Sequence, residues 1–322
     1  MTNQSAQEFQ LRINMQEAIA FSPTGINPEE TGSTVPETVV ETTLSTASGV
    51  EVPVIWYQRK SNTIIIAAQS LPASKESMRF LAKMFPRYDI VMFDYCWNQH
   101  YGRFVAKSFF TGSLIKKVLL DEEQELAAVI EHVLQDHAYT KVIGFGQCYS
   151  CYHLAKIQSD AINRTGSGPF THLIFDSCWH SLWSFIERIC TDPLLPANPR
   201  YGGAPCVLKW ITDNWLFKKI ILGTTFACTD DVSPVTYLPS VTVPVLFIHG
   251  RNDLFVPVEH FERIWSATDE HNRIALLTPF EHVHNLGNKG VYQHVIYQFI
   301  TRNWPFSYQE ASQAIMRNLD PE

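Results

Sequence analysis

The segment "VIGFGQCYSCYHLAK", residues 142–156, places two cysteines three positions apart behind two glycines. A CxxC pair suits a redox couple or half of a metal site, whereas one cysteine on a sharp turn suits nucleophilic catalysis. The flanks favour the turn. Val142, Ile143 and Phe145 read as the end of a buried strand, and Tyr152, Leu154, Ala155 and Ile157 continue as a helix with an apolar face. A strand that passes straight into a helix around one residue forces that residue into a strained backbone conformation. The neighbours two before and two after must then be small, and they are Gly146 and Ser150. This is the nucleophile-elbow pattern, with Cys148 where serine usually stands.

A free thiol, with a pKa near 8.5, is mostly protonated at neutral pH, so a cysteine nucleophile needs an imidazole to draw off its proton or to stabilise the thiolate. The free N–H groups at the start of the elbow helix add a positive end that favours an anion at Cys148. The competing uses of the pair fit less well. Zinc wants a second close Cys or His pair, and no other CxxC exists. A thioredoxin-like motif opens the first strand-helix unit and usually carries proline between its cysteines. The seven cysteines, at 96, 148, 151, 178, 190, 206 and 228, are odd in number and irregularly spaced, which is not a disulfide framework. No metal and no cofactor is expected.

The elements that must position Cys148 follow from periodicity. Residues 1–36, with Pro23, Pro28, Gly32 and Pro36, read as a polar lead-in. "ETVVETTLST" and "VEVPVIWYQRK" alternate and carry β-branched residues, which predicts an antiparallel hairpin. "NTIIIAAQS", "YDIVMFDY", "KVIGFG" and "THLIFDS" then read as buried strands, with "LDEEQELAAVIEHVLQD" as an amphipathic helix among them. After a break come the strands "VPVLFIHG" and "RIALLT", and the helix "GVYQHVIYQFITRNW". Buried strands alternating with helices predict an α/β fold with a doubly wound, mostly parallel sheet. The break, 181–238, is too long for a connection and too aromatic for a linker, with Trp183, Phe185, Trp210, Trp215, Phe217 and Phe226 around "TDPLLPANPRYGG". It reads as a cap inserted into a core formed by 37–180 and 239–322.

Composition bounds the rest. A chain of 322 residues that is 45% apolar can bury a large core. Its 25 Lys and Arg against 32 Asp and Glu offer no basic surface for nucleic acid or an anionic membrane. No stretch approaches the roughly 18 uninterrupted apolar residues of a membrane span, and the first residues lack a secretory pattern, so a soluble, cytoplasmic protein is expected.

The order of motifs resembles the α/β-hydrolase superfamily from about residue 38 to residue 305. "PVLFIHGRNDLFVP" is similar to that family's acid segment, which implies Asp253 as the acid; Asp176, after "LIFDS", is the rival, because some members carry the acid there. "RIALLTPFEHVH" is similar to its last strand and histidine loop, which implies His282 as the base. Periodicity does not separate His282 from His284, since both point the same way if the segment is extended. Glu281 stands beside His282 as a carboxylate able to raise the pKa of the imidazolium, and His153 reads as structural. The resemblance further implies an oxyanion hole from the N–H of Tyr149 and one from Ser70 or Leu71.

Two departures matter. Ala68-Gln69 stand where the family commonly has His-Gly, so a side-chain donor from Gln69 is a possible replacement. Cysteine at the elbow resembles dienelactone hydrolases and polyhydroxyalkanoate synthases, although "CYSCY" lacks their glycine pair. The implied chemistry is acyl transfer through a cysteinyl thioester, from a small-molecule or acyl-carrier ester or thioester with an apolar acyl group, to water or another acceptor. The reading from a different class is a hydrolase fold kept as a binding or interaction protein.

Overall fold

A computed structural model describes residues 37–70, 73–95, 113–135, 137–182, 184–185, 188, 232–283 and 289–301. The strands are β1 (Thr38–Ser45), β2 (Glu51–Gln58), β3 (Thr63–Ala68), β4 (Asp89–Phe93), β5 (Lys141–Gln147), β6 (His172–Asp176), β7 (Val245–Gly250) and β8 (Arg273–Thr278). They form one sheet in the order β1-β2-β4-β3-β5-β6-β7-β8. The hairpin expected from alternation is present, with β1 and β2 antiparallel from Thr38 opposite Gln58 to Ser45 opposite Glu51. β2 also runs antiparallel to β4. From β4 to β8 every neighbour is parallel. An α/β fold with a mostly parallel, doubly wound sheet is therefore what the chain adopts.

Alternation along the strands decides which helices cover which face. Ile65 and Ala67 join a core with Ile143, Phe145 and Ile174 on one side of the sheet. That face is covered by α1 (Arg79–Met84), through Leu81, Ala82 and Met84, and by α6 (Lys289–Thr301), through Tyr292, Val295, Ile296, Phe299 and Ile300. Ile64, Ile66 and Ala68 face the other way and pack with α2 (Ser113–Gln135), α3 (Ser150–Thr165) and α5 (Val258–Ala267). A one-turn helix, α4 (Pro234–Tyr237), precedes β7. Burying both faces of the central strands explains why they read as continuous apolar runs.

One boundary differs from the sequence reading, and one expected helix end falls outside the described residues. The helix expected from residue 120 begins at Ser113, because Leu114, Ile115, Val118 and Leu119 continue the helical spacing ahead of the acidic stretch. The last helix is described to Thr301. The segment 181–238, expected to form an inserted cap, falls largely outside the described residues, as do Trp183, Trp210, Trp215, Phe217, Phe226, Leu71, His284 and the lead-in. What is described of the insert shows its ends meeting, with Leu182 N–H donating to Val232 O at 3.0 Å and Ser233 Oγ donating to His180 O at 2.5 Å. Among the described residues no helix is long and apolar enough to cross a membrane, and no cluster of three His, Cys, Asp or Glu side chains is arranged to hold a metal ion.

Candidate active site

Cys148 sits between β5 and α3 with φ +50°. A non-glycine residue pays roughly 1 kcal/mol or more for that conformation, so the surroundings must enforce it. They do so by space and by hydrogen bonds. A Cβ on Gly146 would lie 2.7 Å from Leu154 Cδ1 and 3.1 Å from Cys151 N, so only glycine lets the strand approach the helix this closely. Ser150, fully buried, donates its hydroxyl to Gln69 O and ties the helix to the end of β3. The N–H of Cys148 itself donates to Asp176 O at 2.8 Å. Cys148, Cys151 and Cys178 are all free thiols.

Two loops at the same edge of the sheet bring an acid and a histidine together. After β7 the chain turns, and Asp253 Oδ1 accepts the N–H groups of Phe255 (2.9 Å) and Val256 (2.8 Å). Its Oδ2 is thereby left for His282 Nδ1, 2.7 Å away. With Nδ1–H donated to the carboxylate, Nε2 is the atom left for Cys148, which is also a side-chain hydrogen-bond partner of the imidazole. Burial works to lower the pKa of His282, but the charges of Cys148 and Asp253 and their hydrogen bonds outweigh it and hold the group well above the usual histidine range. The raising partners are thus the thiol and Asp253. Phe255 lies over the imidazole, with ring centroids 5.5 Å apart.

The remaining residues singled out from the sequence take other places. Asp176, fully buried at the end of β6, accepts Tyr292 OH at 2.9 Å, Gln147 Nε2 at 3.2 Å and Ser177 Oγ at 3.1 Å. His153 is buried against Glu122 at 3.1 Å, and Tyr149 OH donates to the same carboxylate oxygen at 2.5 Å. That bond anchors Tyr149, the residue next to Cys148, whose N–H stands at the start of α3. Ser70 is buried just past β3, with its carbonyl accepting Ala73 N–H at 2.8 Å. Among the described residues, neither side-chain amide atom of the fully buried Gln69 has a hydrogen-bond partner. Around Cys148 the packing is aromatic: Tyr149, Tyr152 and Trp179 with Leu182, Val232 and Val256, and Phe255 and Tyr237 at the edge.

No family model matches the chain. The YfhR protein of Escherichia coli strain K12, described as uncharacterized, is 29% identical over 85 residues, which is 26% of this chain. The match spans about three-tenths of that relative's length, at 30%. Solved structures cover far more. A Pyrococcus furiosus esterase superposes with a TM-score of 0.58 at 14% identity, over 83% of this chain and 91% of its own. The chain has an α/β-hydrolase fold. The acylaminoacyl peptidase of Pyrococcus horikoshii shares it with a TM-score of 0.62 at 13% identity, over 88% of this chain and 45% of the peptidase. The Exiguobacterium antarcticum esterase does so at 0.55 and 12% identity, over 82% and 100%. In this hydrolase fold β5, β6, β7 and β8 run parallel, so their C-terminal ends line one edge of the sheet, where Cys148, Asp253 and His282 converge from positions up to 134 residues apart in sequence, the span from 148 to 282.

Proposed function

We propose that the chain is a hydrolase or acyltransferase that acts on an ester or thioester with an apolar acyl group through a thioester on Cys148. The observation that carries this reading is the hydrogen-bonded line from Asp253 through His282 to Cys148 on a strained strand-helix turn. The Cys148 thiolate adds to the acyl carbon while its proton resides on His282 Nε2. The carbonyl electron pair moves to oxygen, where the N–H groups of Tyr149 and Ser70 receive it. As the tetrahedral adduct collapses, the carbon–leaving-group bond breaks and His282 gives its proton to the departing alcohol or thiol. Water or another acceptor, deprotonated by His282, then attacks the thioester and frees Cys148. Asp253 holds the ring's tautomer and balances its charge throughout.

The aromatic side chains around Cys148 favour an apolar acyl group, whose burial contributes roughly 0.8 kcal/mol per methylene. The test is incubation with p-nitrophenyl esters from two to eight carbons, followed by intact mass and release of p-nitrophenol. A mass increase equal to the acyl group, mapped to Cys148, with activity rising from acetyl to medium chains by up to about fourfold per methylene, is the expected result. One observation favours the second reading, a binding protein on a hydrolase fold: Ala68-Gln69 replace the usual His-Gly, and the Gln69 side-chain amide sits buried without partners among the described residues. That reading requires no adduct and no turnover with any chain length.

A further inference from the structure

Four non-glycine residues among those described have positive φ, and three of them, Cys148, Ser177 and Val283, fall at this one edge of the sheet. Backbone strain of this kind persists only where the surroundings over-determine it. Val283 directly follows His282, and its N–H donates to Ser177 Oγ at 3.1 Å. Ser177 directly follows β6, and its own N–H donates to Ile248 O at 2.8 Å. The single hydroxyl proton of Ser177 is committed to Asp176 Oδ1 at 3.1 Å, so its lone pairs are turned toward Val283. Asp176 is in turn fixed by Tyr292 OH and Gln147 Nε2, and its carbonyl accepts the N–H of Cys148 at 2.8 Å. One dipeptide, Asp176-Ser177, thus holds the backbone of Cys148 on one side and the backbone beside His282 on the other.

We propose that Ser177 is a positioning residue for His282: its hydroxyl pins the Val283 backbone while Asp253 holds the imidazole ring. The inference rests on the reading of His282 as the base for Cys148. Without the hydroxyl, Val283 loses the partner of its N–H and the reason to keep φ +46°, and relaxation of that peptide swings the imidazole away from the thiol.

The test compares Ser177→Ala, which removes the hydroxyl and keeps the strain, with Ser177→Gly, which removes the hydroxyl and relieves the strain. Ser177→Asn tolerates positive φ and supplies a side-chain oxygen acceptor. Each full-length variant is measured for alkylation of Cys148 by iodoacetamide from pH 5.5 to 9, for kcat and KM on p-nitrophenyl butyrate, and for Tm. Both Ser177→Ala and Ser177→Gly are expected to lower kcat and the alkylation rate at pH 7 by roughly ten- to a hundredfold, with KM within about twofold. Ser177→Gly should match or exceed the Tm of Ser177→Ala, and Ser177→Asn should restore part of the rate. A loss in Ser177→Ala that Ser177→Gly does not share would assign the effect to strain and overturn the role of the hydroxyl. His282→Ala runs alongside. If it alkylates slowly while both Ser177 variants behave as wild type, the positioning role alone is overturned; if it alkylates as wild type, the base reading falls and the inference with it.

Discussion

The backbone of Gly250 passes so close to the carbonyl oxygen of Phe280 that a Cβ would collide with it. This approach joins the loop that carries Asp253 to the loop that carries His282. Arg251 N–H donates to Thr278 O at 2.8 Å, Asn252 N–H to Phe280 O at 3.3 Å, and Asn252 Nδ2 to Pro279 O at 2.6 Å. Asp253 and His282 therefore inherit their 2.7 Å separation from two backbones that only a glycine allows to touch. Gly250→Ala should cost about 1–3 kcal/mol of stability, as overpacking does, and should lower kcat far more than Tm alone explains. Thermal melting and ester turnover measured on the same sample check this, and unchanged turnover in a destabilised protein would separate the loop contact from the chemistry.

Cys148→Ala should remove turnover and the acyl adduct. Cys151→Ala should keep most activity, because Cys151 lies in the core with its thiol donating to Gly146 O at 3.3 Å. Burial first, and then Cys178 and Cys148, push that thiol well above the ordinary cysteine range, so it stays protonated and unreactive. A stability loss of about 1 kcal/mol is the expected cost of the second variant. Complete inactivation of a folded Cys151→Ala protein would revive the redox use of the pair.

Replacing His282, the proposed base, is expected to have a larger effect than replacing His284. His282→Ala should reduce kcat by roughly two to four orders of magnitude, because it removes both the acceptor of the thiol proton and the donor to the leaving group. His284→Ala should act mainly on KM. Steady-state kinetics of the two variants decide the matter, and a reversal of the two effects would exchange their roles.

Acid should loosen the junction of the inserted segment with the core. His180 Nδ1 and His260 Nδ1 share a hydrogen bond of 2.8 Å, and His180 Nε2 lies 3.0 Å from Arg263 Nη1. Burial, then the charge of His180, lowers His260 to about 3; burial, then Arg263, lowers His180 to about 4. In the unfolded chain both groups titrate near 6.5, so between about pH 6.5 and 4 the unfolded state binds more protons than the native one. The stability these neutral histidines contribute is therefore complete above about pH 6.5 and is lost as the pH falls. Tm should drop from pH 7 to pH 4.5, and His260→Gln should flatten that slope. An identical slope in the variant would remove the pair as its cause.

Much of this arrangement is legible in the sequence because it is local. The elbow at Cys148 is a statement about volume over five residues, and Gly146 and Ser150 declare it before any fold is known. The β1–β2 hairpin and the buried parallel strands follow from alternation and from continuous apolar runs, which record one-sided and two-sided burial. The order of the three motifs along the chain also suggests Asp253 and His282 by likeness.

Other features depend on groups that meet only after the sheet has formed. His282 pairs with Asp253, while Asp176 is taken up by Tyr292 of α6, Gln147 of β5 and the adjoining Ser177, and no spacing in the chain distinguishes the two carboxylates. The early start of α2 at Ser113 lies outside the acidic pattern that announces the helix. Ser177 carries no signal at all, since its partner is a backbone N–H 106 residues away. Residue types and short-range periodicity determined the elements and the strand-helix turn at Cys148, the proposed nucleophile; long-range apposition of loop backbones, which any sequence can offer in principle and only close packing realises, decided what faces Cys148.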